Sequence, residues 1–395
     1  MSQANQTAVK ILVVDDEADM EPMIRQKFRR QLREKTFDFE FAFNGVEALE
    51  KINEYPEIGI VLSDINMPGM DGLTLLSKLK ELKKPELKTV IVSAYGDMDN
   101  IRTAMNRGAF DFITKPVNFD DLEITINKTV REILSVRHWM REHDQLVSIQ
   151  QDLHISREIQ QAILPKNFLP FPGEPGFDIY ASMVAANEIG GDFYDFFMID
   201  QHRLGFVIGD VSGKGISAAI FMALSRTLIR ATGLKGDSVS ECMEYANNLL
   251  CKESVSSMFV TVFYGILHTL TGDVDYVNAG HNPPYILSSS GIRPVEMTNG
   301  LALGVMEDFI FESKTIQLKK GDQLLLYTDG VIEAVNAEET PYGERKFEDF
   351  LNQNLNLPIE PIIKKTFTEV NDFVGGAPQS DDITLLGITF KAKQE

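Results

Sequence analysis

The sequence predicts a doubly wound α/β domain, then one long helix, then an antiparallel α+β domain. Up to about residue 118, short continuous apolar runs alternate with amphipathic segments, which is typical of a parallel sheet covered on both faces. Residues 119–164 contain neither Gly nor Pro and carry apolar residues at three- and four-residue steps, which indicates a helix. From residue 177 onward, β-rich runs dominate and helical segments lie between them without strict alternation. This pattern favours a layered sandwich.

These changes divide the 395 residues into five segments. They are a disordered tail at 1–8, a first domain at 9–118, a linker helix at 119–164, a Pro/Gly-rich joint at 165–176 and a second domain at 177–391. The net charge of −20 argues against nucleic acid as the main partner, because phosphate binding needs a basic surface. No apolar run approaches the ~20 residues of a membrane span, and the amino terminus has no signal-peptide pattern. We therefore expect a cytoplasmic protein without a membrane partner.

Polar residues follow four apolar runs of the first domain, at the point where each predicted strand ends. They are Asp15, Asp16, Asp64, Ser93 and Lys115. The carboxyl ends of parallel strands share one edge of the sheet, where ligands bind. Three carboxylates crowded there repel one another unless a hard divalent cation such as Mg²⁺ neutralises them. The alternative is an acidic cluster without chemistry.

Four motifs of the first domain resemble the receiver domain of two-component response regulators. They read VVDD at 13–16, SDINMPGMDG at 63–72, SA at 93–94 and FITKP at 112–116. The resemblance implies that Asp64 accepts a phosphoryl group from a histidine kinase. It also implies that Asp15, Asp16, Asp64 and the carbonyl of Asn66 hold one Mg²⁺. In the same family pattern Lys115 offsets phosphoryl charge, Ser93 binds the acyl phosphate, and Phe112 is the aromatic switch residue.

The linker helix would extend roughly 65–70 Å at about 1.5 Å per residue. A single helix of that length is rarely stable alone in water, so its apolar stripe is expected to pair with a second copy as a coiled coil. The sequence therefore predicts a parallel homodimer. The alternative is two separate helices joined at the polar residues 141–145.

Acidic residues lie in turns beside the predicted strands of the second domain. They are Asp192, Asp210, Asp329, Asp381 and Asp382. Asp followed by Gly is most often only a turn, but several such acids without a nearby Cys or His metal pattern favour Mg²⁺ or Mn²⁺ over zinc. The glycine spacing at 209–214 does not match a Walker phosphate loop.

Five motifs of the second domain resemble the metal-dependent serine/threonine phosphatases, in particular the bacterial branch that regulates stress and sporulation. They read EIGGDFYD at 188–195, GDVSGKG at 209–215, NAGHNPP at 278–284, YTDG at 327–330 and SDDIT at 380–384. The resemblance implies a β-sandwich flanked by helices, with two Mn²⁺ or Mg²⁺ ions between the sheets. Asp210 would bridge both ions and the carbonyl of Val211 would bind one. Asp329 and Asp381 would complete the second ion's site, and Asp192 would act through water.

Two positions of the second domain leave their roles open. Asp382 stands where relatives often carry Asn, so the family pattern does not assign it as a ligand. His281 could protonate the leaving serine oxygen, or it could pack and form hydrogen bonds within its own loop. The resemblance implies direct attack of water on phosphorus, without a side-chain nucleophile.

The leading hypothesis is a response regulator whose output is a protein phosphatase. Its substrate would be phosphoserine or phosphothreonine on an antagonist of an anti-sigma factor. The main alternative is a non-catalytic adaptor that captures a partner through the phosphatase fold; such adaptors lose the metal acids, which are all present here. A DNA-binding regulator is disfavoured by the acidity of the chain and the lack of a recognisable binding module.

Overall fold

The computed structural model describes residues 9–94, 96–166, 176–253 and 258–392. The predicted disordered tail lies outside the described residues, and so does most of the predicted Pro/Gly-rich joint. The chain divides into two compact units between Ile149 and Gln150, a boundary that falls within one helix. Among the described helices, none has the length and apolar character needed to cross a membrane.

The first unit is built on a parallel sheet whose strands are β1 (Val9–Val14), β2 (Phe37–Ala42), β3 (Ile58–Asp64), β4 (Lys88–Ala94) and β5 (Asp111–Lys115). Their order in the sheet is β2-β1-β3-β4-β5. β3 is buried along its whole length, as its continuous apolar run predicts. The doubly wound parallel fold is confirmed.

Five helices connect these strands and a sixth follows the last one. They are α1 (Met20–Lys27), α2 (Arg29–Arg33), α3 (Gly45–Glu54), α4 (Gly72–Glu81), α5 (Met98–Arg107) and α6 (Phe119–Ile163). Asn44 and Asp71 cap α3 and α4 by accepting hydrogen bonds from backbone N–H groups of the first turn. The alternative of two separate linker helices is wrong, because α6 is continuous through 141–145.

The beginning of α6 belongs to the core of the first unit. Leu122, Ile126 and Ile133 are buried there among residues of β1, β2 and β3. The expectation that the whole apolar stripe of the linker helix pairs with a second copy is therefore wrong for its first part, which packs against the chain's own sheet. Beyond Ile133 the apolar side chains of α6 are largely exposed, as for Trp139, Leu146, Ile149, Ile155 and Ile159.

The second unit contains two five-stranded sheets. Their strands are β6 (Phe177–Val184), β7 (Phe193–Met198), β8 (Arg203–Val211), β9 (Val260–His268), β10 (Asp273–Ala279), β11 (Tyr285–Ser288), β12 (Gly291–Pro294), β13 (Lys314–Gln317), β14 (Gln323–Tyr327) and β15 (Ile383–Phe390). One sheet has the order β13-β10-β9-β8-β7 and the other β12-β11-β14-β15-β6. Neighbouring strands in both sheets are antiparallel.

Helices cover the outer faces of these sheets. α7 (Ile216–Gly233) packs against β7 and β8, α8 (Val239–Glu253) against β9 and β10, α9 (Glu344–Gln353) against β12, and α10 (Ile359–Val374) against β6 and β15. Alternate side chains of β14 point to opposite faces of its sheet. Leu324 and Leu326 join the core between the sheets, whereas Leu325 and Tyr327 pack with α9 and α10. This arrangement confirms the predicted sandwich flanked by helices.

Candidate functional site

The acids of the first unit meet at the carboxyl edge of the parallel sheet. β1 and β3 are neighbouring parallel strands in which Val14 is paired with Ser63. The next residues, Asp15 and Asp64, therefore lie side by side. Asp15, Asp16 and Asp64 each offer a carboxylate oxygen, and these three oxygens all lie within 4.8 Å of one another. Burial raises the pKa of Asp15, and the Asp64 carboxylate adds to that rise. Three oxygen ligands at this spacing fit a hard divalent cation such as Mg²⁺.

Lys115 supplies the positive charge at this edge. Its Nζ lies 2.5 Å from Asp64 Oδ2, 3.1 Å from Asp15 Oδ2 and 3.2 Å from Glu17 Oε1. Burial lowers the pKa of Lys115, but the hydrogen bonds and charges of Asp64 and Asp15 outweigh it, so the net shift is upward. The ammonium group is therefore held beside Asp64, the carboxylate that the receiver resemblance predicts as the phosphoacceptor.

The remaining receiver residues lie beside Asp64 or on the strands that follow it, β4 and β5. The backbone N–H of Asn66 donates to Asp64 Oδ1 at 3.1 Å. Ser93 is buried on β4, and its hydroxyl donates to Asp97 Oδ2 at 3.3 Å. Phe112 is 38% exposed on β5. An outward aromatic ring together with an engaged serine hydroxyl is compatible with the switch roles that the sequence predicts.

Strand register brings the acids of the second unit together in two pairs. Phe193 pairs with Gly209 across β7 and β8, so Asp192 and Asp210 are the next opposed positions. Asp210 is followed by buried Val211, the last residue of β8. In the other sheet Tyr327 pairs with Leu385, which places Asp329 and Asp381 at the same end of β14 and β15. Each sheet contributes one pair.

Thr328 links the two pairs, and the sequence alone did not identify it. Its hydroxyl donates to Asp192 Oδ2 at 2.7 Å and accepts from the backbone N–H of Thr384 at 3.0 Å. All three residues are buried. A hydroxyl between Tyr327 and Asp329 carries no sequence signal beyond its place in the YTDG motif, so the structure was needed to assign it.

The four aspartates interact electrostatically. Burial raises the pKa of Asp192 well above its ordinary value, and the Asp210 and Asp382 carboxylates raise it further. Burial and the Asp329 carboxylate raise the pKa of Asp210 to about 7. Burial, Glu333 and Asp381 likewise raise the pKa of Asp329. Such mutual repulsion is relieved by bound divalent cations, so this donor set fits the predicted metal ions.

The acids of the second unit are spaced more widely than those of the first unit. Within the described ranges, Asp15, Asp16 and Asp64 form the only group of three or more potential metal-binding residues whose ligand atoms all lie within 4.8 Å of one another. Asp381 also has a cationic neighbour, Lys214, whose Nζ lies 3.0 Å from Asp381 Oδ2. The carbonyl of Ser380 accepts a hydrogen bond from the same ammonium at 2.6 Å.

Asp382 forms hydrogen bonds to backbone amides. Its Oδ1 accepts from Ala186 N at 2.8 Å, and its Oδ2 accepts from Gly191 N at 2.7 Å and from Asp192 N at 3.4 Å. These contacts use both carboxylate oxygens to hold the segment that precedes Asp192. The geometry therefore favours a supporting role for Asp382 over a ligand role.

His281 lies in the interior of the second unit. Its Nδ1 lies 3.0 Å from the Thr261 hydroxyl, and its backbone N–H and carbonyl are both bonded to the Asn278 side chain. Burial lowers the pKa of His281 to about 4. A neutral, buried imidazole at pH 7 is a poor proton donor, which favours the packing alternative over the general-acid alternative.

Comparisons with known proteins agree with both halves of this description. The family model "Response regulator receiver domain" matches residues 11–127, and the model "Stage II sporulation protein E (SpoIIE)" matches residues 200–391. The chain is 31% identical over 255 residues to phosphoserine phosphatase RsbU of Bacillus subtilis, covering 62% of this chain and 73% of RsbU. It is 32% identical over 266 residues to protein IcfG of Synechocystis sp., covering 60% of this chain but only 41% of IcfG.

The SiaA-PP2C domain of Pseudomonas aeruginosa shares the fold of the second unit. The TM-score is 0.56 at 19% identity, and the match covers 62% of this chain and 99% of that domain. Fold and sites together define a response-regulator receiver domain joined to a metal-dependent phosphatase domain of the PP2C type. The chain belongs to the SpoIIE-type phosphatase family that includes RsbU.

Proposed function

We propose that this protein is a response regulator that is phosphorylated on Asp64 and controls its own phosphoserine/phosphothreonine phosphatase domain. The observation that carries the proposal is the set Asp192, Asp210, Asp329 and Asp381, all retained and held at the adjoining ends of the two sheets. Burial raises the pKa values of Asp192 and Asp210, and repulsion from neighbouring carboxylates raises them further. A non-catalytic adaptor would have no need to keep that unfavourable arrangement.

In the receiver, Asp64 is the nucleophile toward a phosphodonor, and a sensor histidine kinase is the donor that the domain implies. Mg²⁺ would be held by Asp15, Asp16, Asp64 and the Asn66 carbonyl. The Lys115 ammonium, 2.5 Å from Asp64 Oδ2, would offset charge on the transferred group. The Ser93 hydroxyl would give up its hydrogen bond to Asp97 and donate to a phosphoryl oxygen instead. Phe112 would turn inward as Ser93 moves.

In the phosphatase, two Mn²⁺ or Mg²⁺ ions would be held by Asp210, the Val211 carbonyl, Asp329 and Asp381, with Asp192 acting through water. When bound, these ions would supply Lewis-acid stabilisation of the phosphoryl group and a more acidic attacking water. The chain's own residues fix the ligands: Thr328 orients Asp192 through its hydroxyl, and Asp382 holds the backbone before it. Once the metal ions neutralise the Asp381 carboxylate, the Lys214 ammonium would leave its ion pair with Asp381 and bind a substrate oxygen instead.

The substrate proposed from the family resemblance is a phosphorylated antagonist of an anti-sigma factor. RsbU carries the name phosphoserine phosphatase, which supports phosphoserine as the hydrolysed group. We also propose a homodimer formed by the exposed part of α6, in which Trp139, Leu146 and Leu153 recur at seven-residue steps with Ile149 between them.

Phosphate release from a phosphoserine peptide tests the catalytic proposal. We expect turnover by the full chain with Mn²⁺ and none with a chelator. Peptide binding without any phosphate release at saturating Mn²⁺ would instead identify the chain as an adaptor.

A further inference from the structure

The last turns of α6 contact the segment that carries Asp192. Gln160 is buried, and its Nε2 donates to the Gly190 carbonyl at 2.6 Å. The backbone N–H of Gly190 donates in return to Gln160 Oε1 at 3.1 Å. The side-chain amide of Gln160 thus forms hydrogen bonds with both the backbone N–H and the backbone carbonyl of Gly190, a buried residue two positions before Asp192.

The opposite side of the same segment is held by Asp382, through the amides of Gly191 and Asp192. Gly190 lies so close to Asp382 that a Cβ atom there would collide with the carboxylate. The segment therefore lies between two buried polar side chains, Gln160 of α6 and Asp382, the residue before β15. Asp192 itself is fixed at its carboxylate by Thr328.

Three further contacts fix this end of the helix within the second unit. Leu164 is part of the core between the sheets. The Pro165 carbonyl accepts a hydrogen bond from the Tyr194 hydroxyl at 3.1 Å. Arg157 lies 3.6 Å from Glu188 in an ion pair. A shift of these turns along or around the helix axis would carry Gln160 away from Gly190.

We infer that Gln160 is a positioning residue that makes the placement of Asp192 depend on the position of the carboxyl-terminal end of α6. This inference rests on the proposed phosphatase function and names Asp192 as the residue through which the linker helix acts on the metal site. Residues that hold metal ligands typically affect metal affinity by about 10–100-fold when they are replaced. A helix shift that breaks the Gln160–Gly190 pair would then lower metal occupancy without altering any ligand.

The test compares Gln160→Met with the matched variant Gln161→Met in the full chain. Met has similar length and helix propensity to Gln, and Gln161 is an exposed neighbour on the same helix. The first readout is hydrogen–deuterium exchange of the peptide covering 186–194 in metal-free protein. We expect exchange about tenfold faster in Gln160→Met, as loss of the hydrogen bonds dictates, and unchanged exchange in Gln161→Met.

The second readout separates metal affinity from turnover. We expect the Mn²⁺ concentration for half-maximal peptide hydrolysis to rise about tenfold or more in Gln160→Met, while kcat at saturating Mn²⁺ stays within about threefold of wild type. If Gln160→Met does not fold, Gln160→Ala, which leaves room for water, replaces it in both assays. Wild-type exchange and wild-type Mn²⁺ dependence in the folded variant would overturn the inference.

Failure of the proposed function has a different signature. Wild-type protein without any Mn²⁺-dependent hydrolysis would reject the phosphatase assignment. The exchange readout would then still decide whether Gln160 holds the 186–194 segment.

Discussion

Lys115 Nζ lies 2.5 Å from Asp64 Oδ2 and 3.1 Å from Asp15 Oδ2, so one ammonium group faces two buried carboxylates. Removing it leaves those carboxylates without their cation, which is costly in a buried site. We expect Lys115→Met to lower the free energy of unfolding of the first unit by about 3 kcal/mol in metal-free protein. Calorimetry with and without Mg²⁺ checks this, because Mg²⁺ should restore much of the loss.

The matched control is Lys78→Met on the exposed side of α4. It should leave the melting temperature within about 1 °C of wild type, since surface substitutions change stability little. Equal melting temperatures for Lys115→Met and Lys78→Met would contradict the pairing described here.

Asp210 makes the stability of the metal-free protein depend on pH. Because its pKa is raised to about 7, the folded state holds this proton more tightly than the unfolded state, whose pKa is near 3.8. Stability of the metal-free protein should therefore fall as the pH rises between these values. Asp210→Asn removes this contribution. We expect its melting temperature in chelator at pH 8 to exceed that of wild type by about 2 °C or more, and the difference to close near pH 4.

The same variant should behave in the opposite way once metal is added. Mn²⁺ should raise the melting temperature of wild type but hardly that of Asp210→Asn, and peptide hydrolysis should fall by about 10³-fold, which corresponds to about 4 kcal/mol. Wild-type turnover in Asp210→Asn would remove this residue from the metal site.

Exposed apolar residues of α6 predict the oligomeric state. Leu146→Glu together with Ile149→Glu places like charges along the proposed helix pair, so light scattering should report a monomer where wild type is a dimer. The matched control is Ser148→Glu with Gln151→Glu, which changes exposed positions away from the stripe. A double variant that stays dimeric would show that α6 does not form the interface.

Much of both sites could be predicted because their chemistry lies at strand ends. Apolar runs located the strands, and the acids that follow them marked the two clusters. β2 was missed because its burial alternates, with Phe37 and Phe39 inward on an edge strand. The signal was present in the period-two spacing of Phe37, Phe39 and Phe41.

Other features depend on tertiary contacts that no local pattern specifies. An apolar stripe looks the same whether it packs against the chain's own sheet or a second helix, so the burial of Ile133 in the first unit could not be foreseen. Gln160 resembles any polar residue of a helix until its two hydrogen bonds to Gly190 are seen. Only the hydrogen bonds that the Asp382 carboxylate accepts from backbone N–H groups favour a supporting role for this residue over a role as a metal ligand.

The central claim is that phosphorylation of Asp64 changes the activity of the phosphatase domain. The most direct measurement is phosphoserine-peptide hydrolysis by the full chain at fixed Mn²⁺, with and without acetyl phosphate, for wild type and Asp64→Asn. We expect acetyl phosphate to change kcat/KM of wild type by about fivefold or more, and to leave Asp64→Asn, which should keep its basal turnover, unaffected. Identical rates with and without acetyl phosphate in a wild-type protein shown to be phosphorylated would contradict the account.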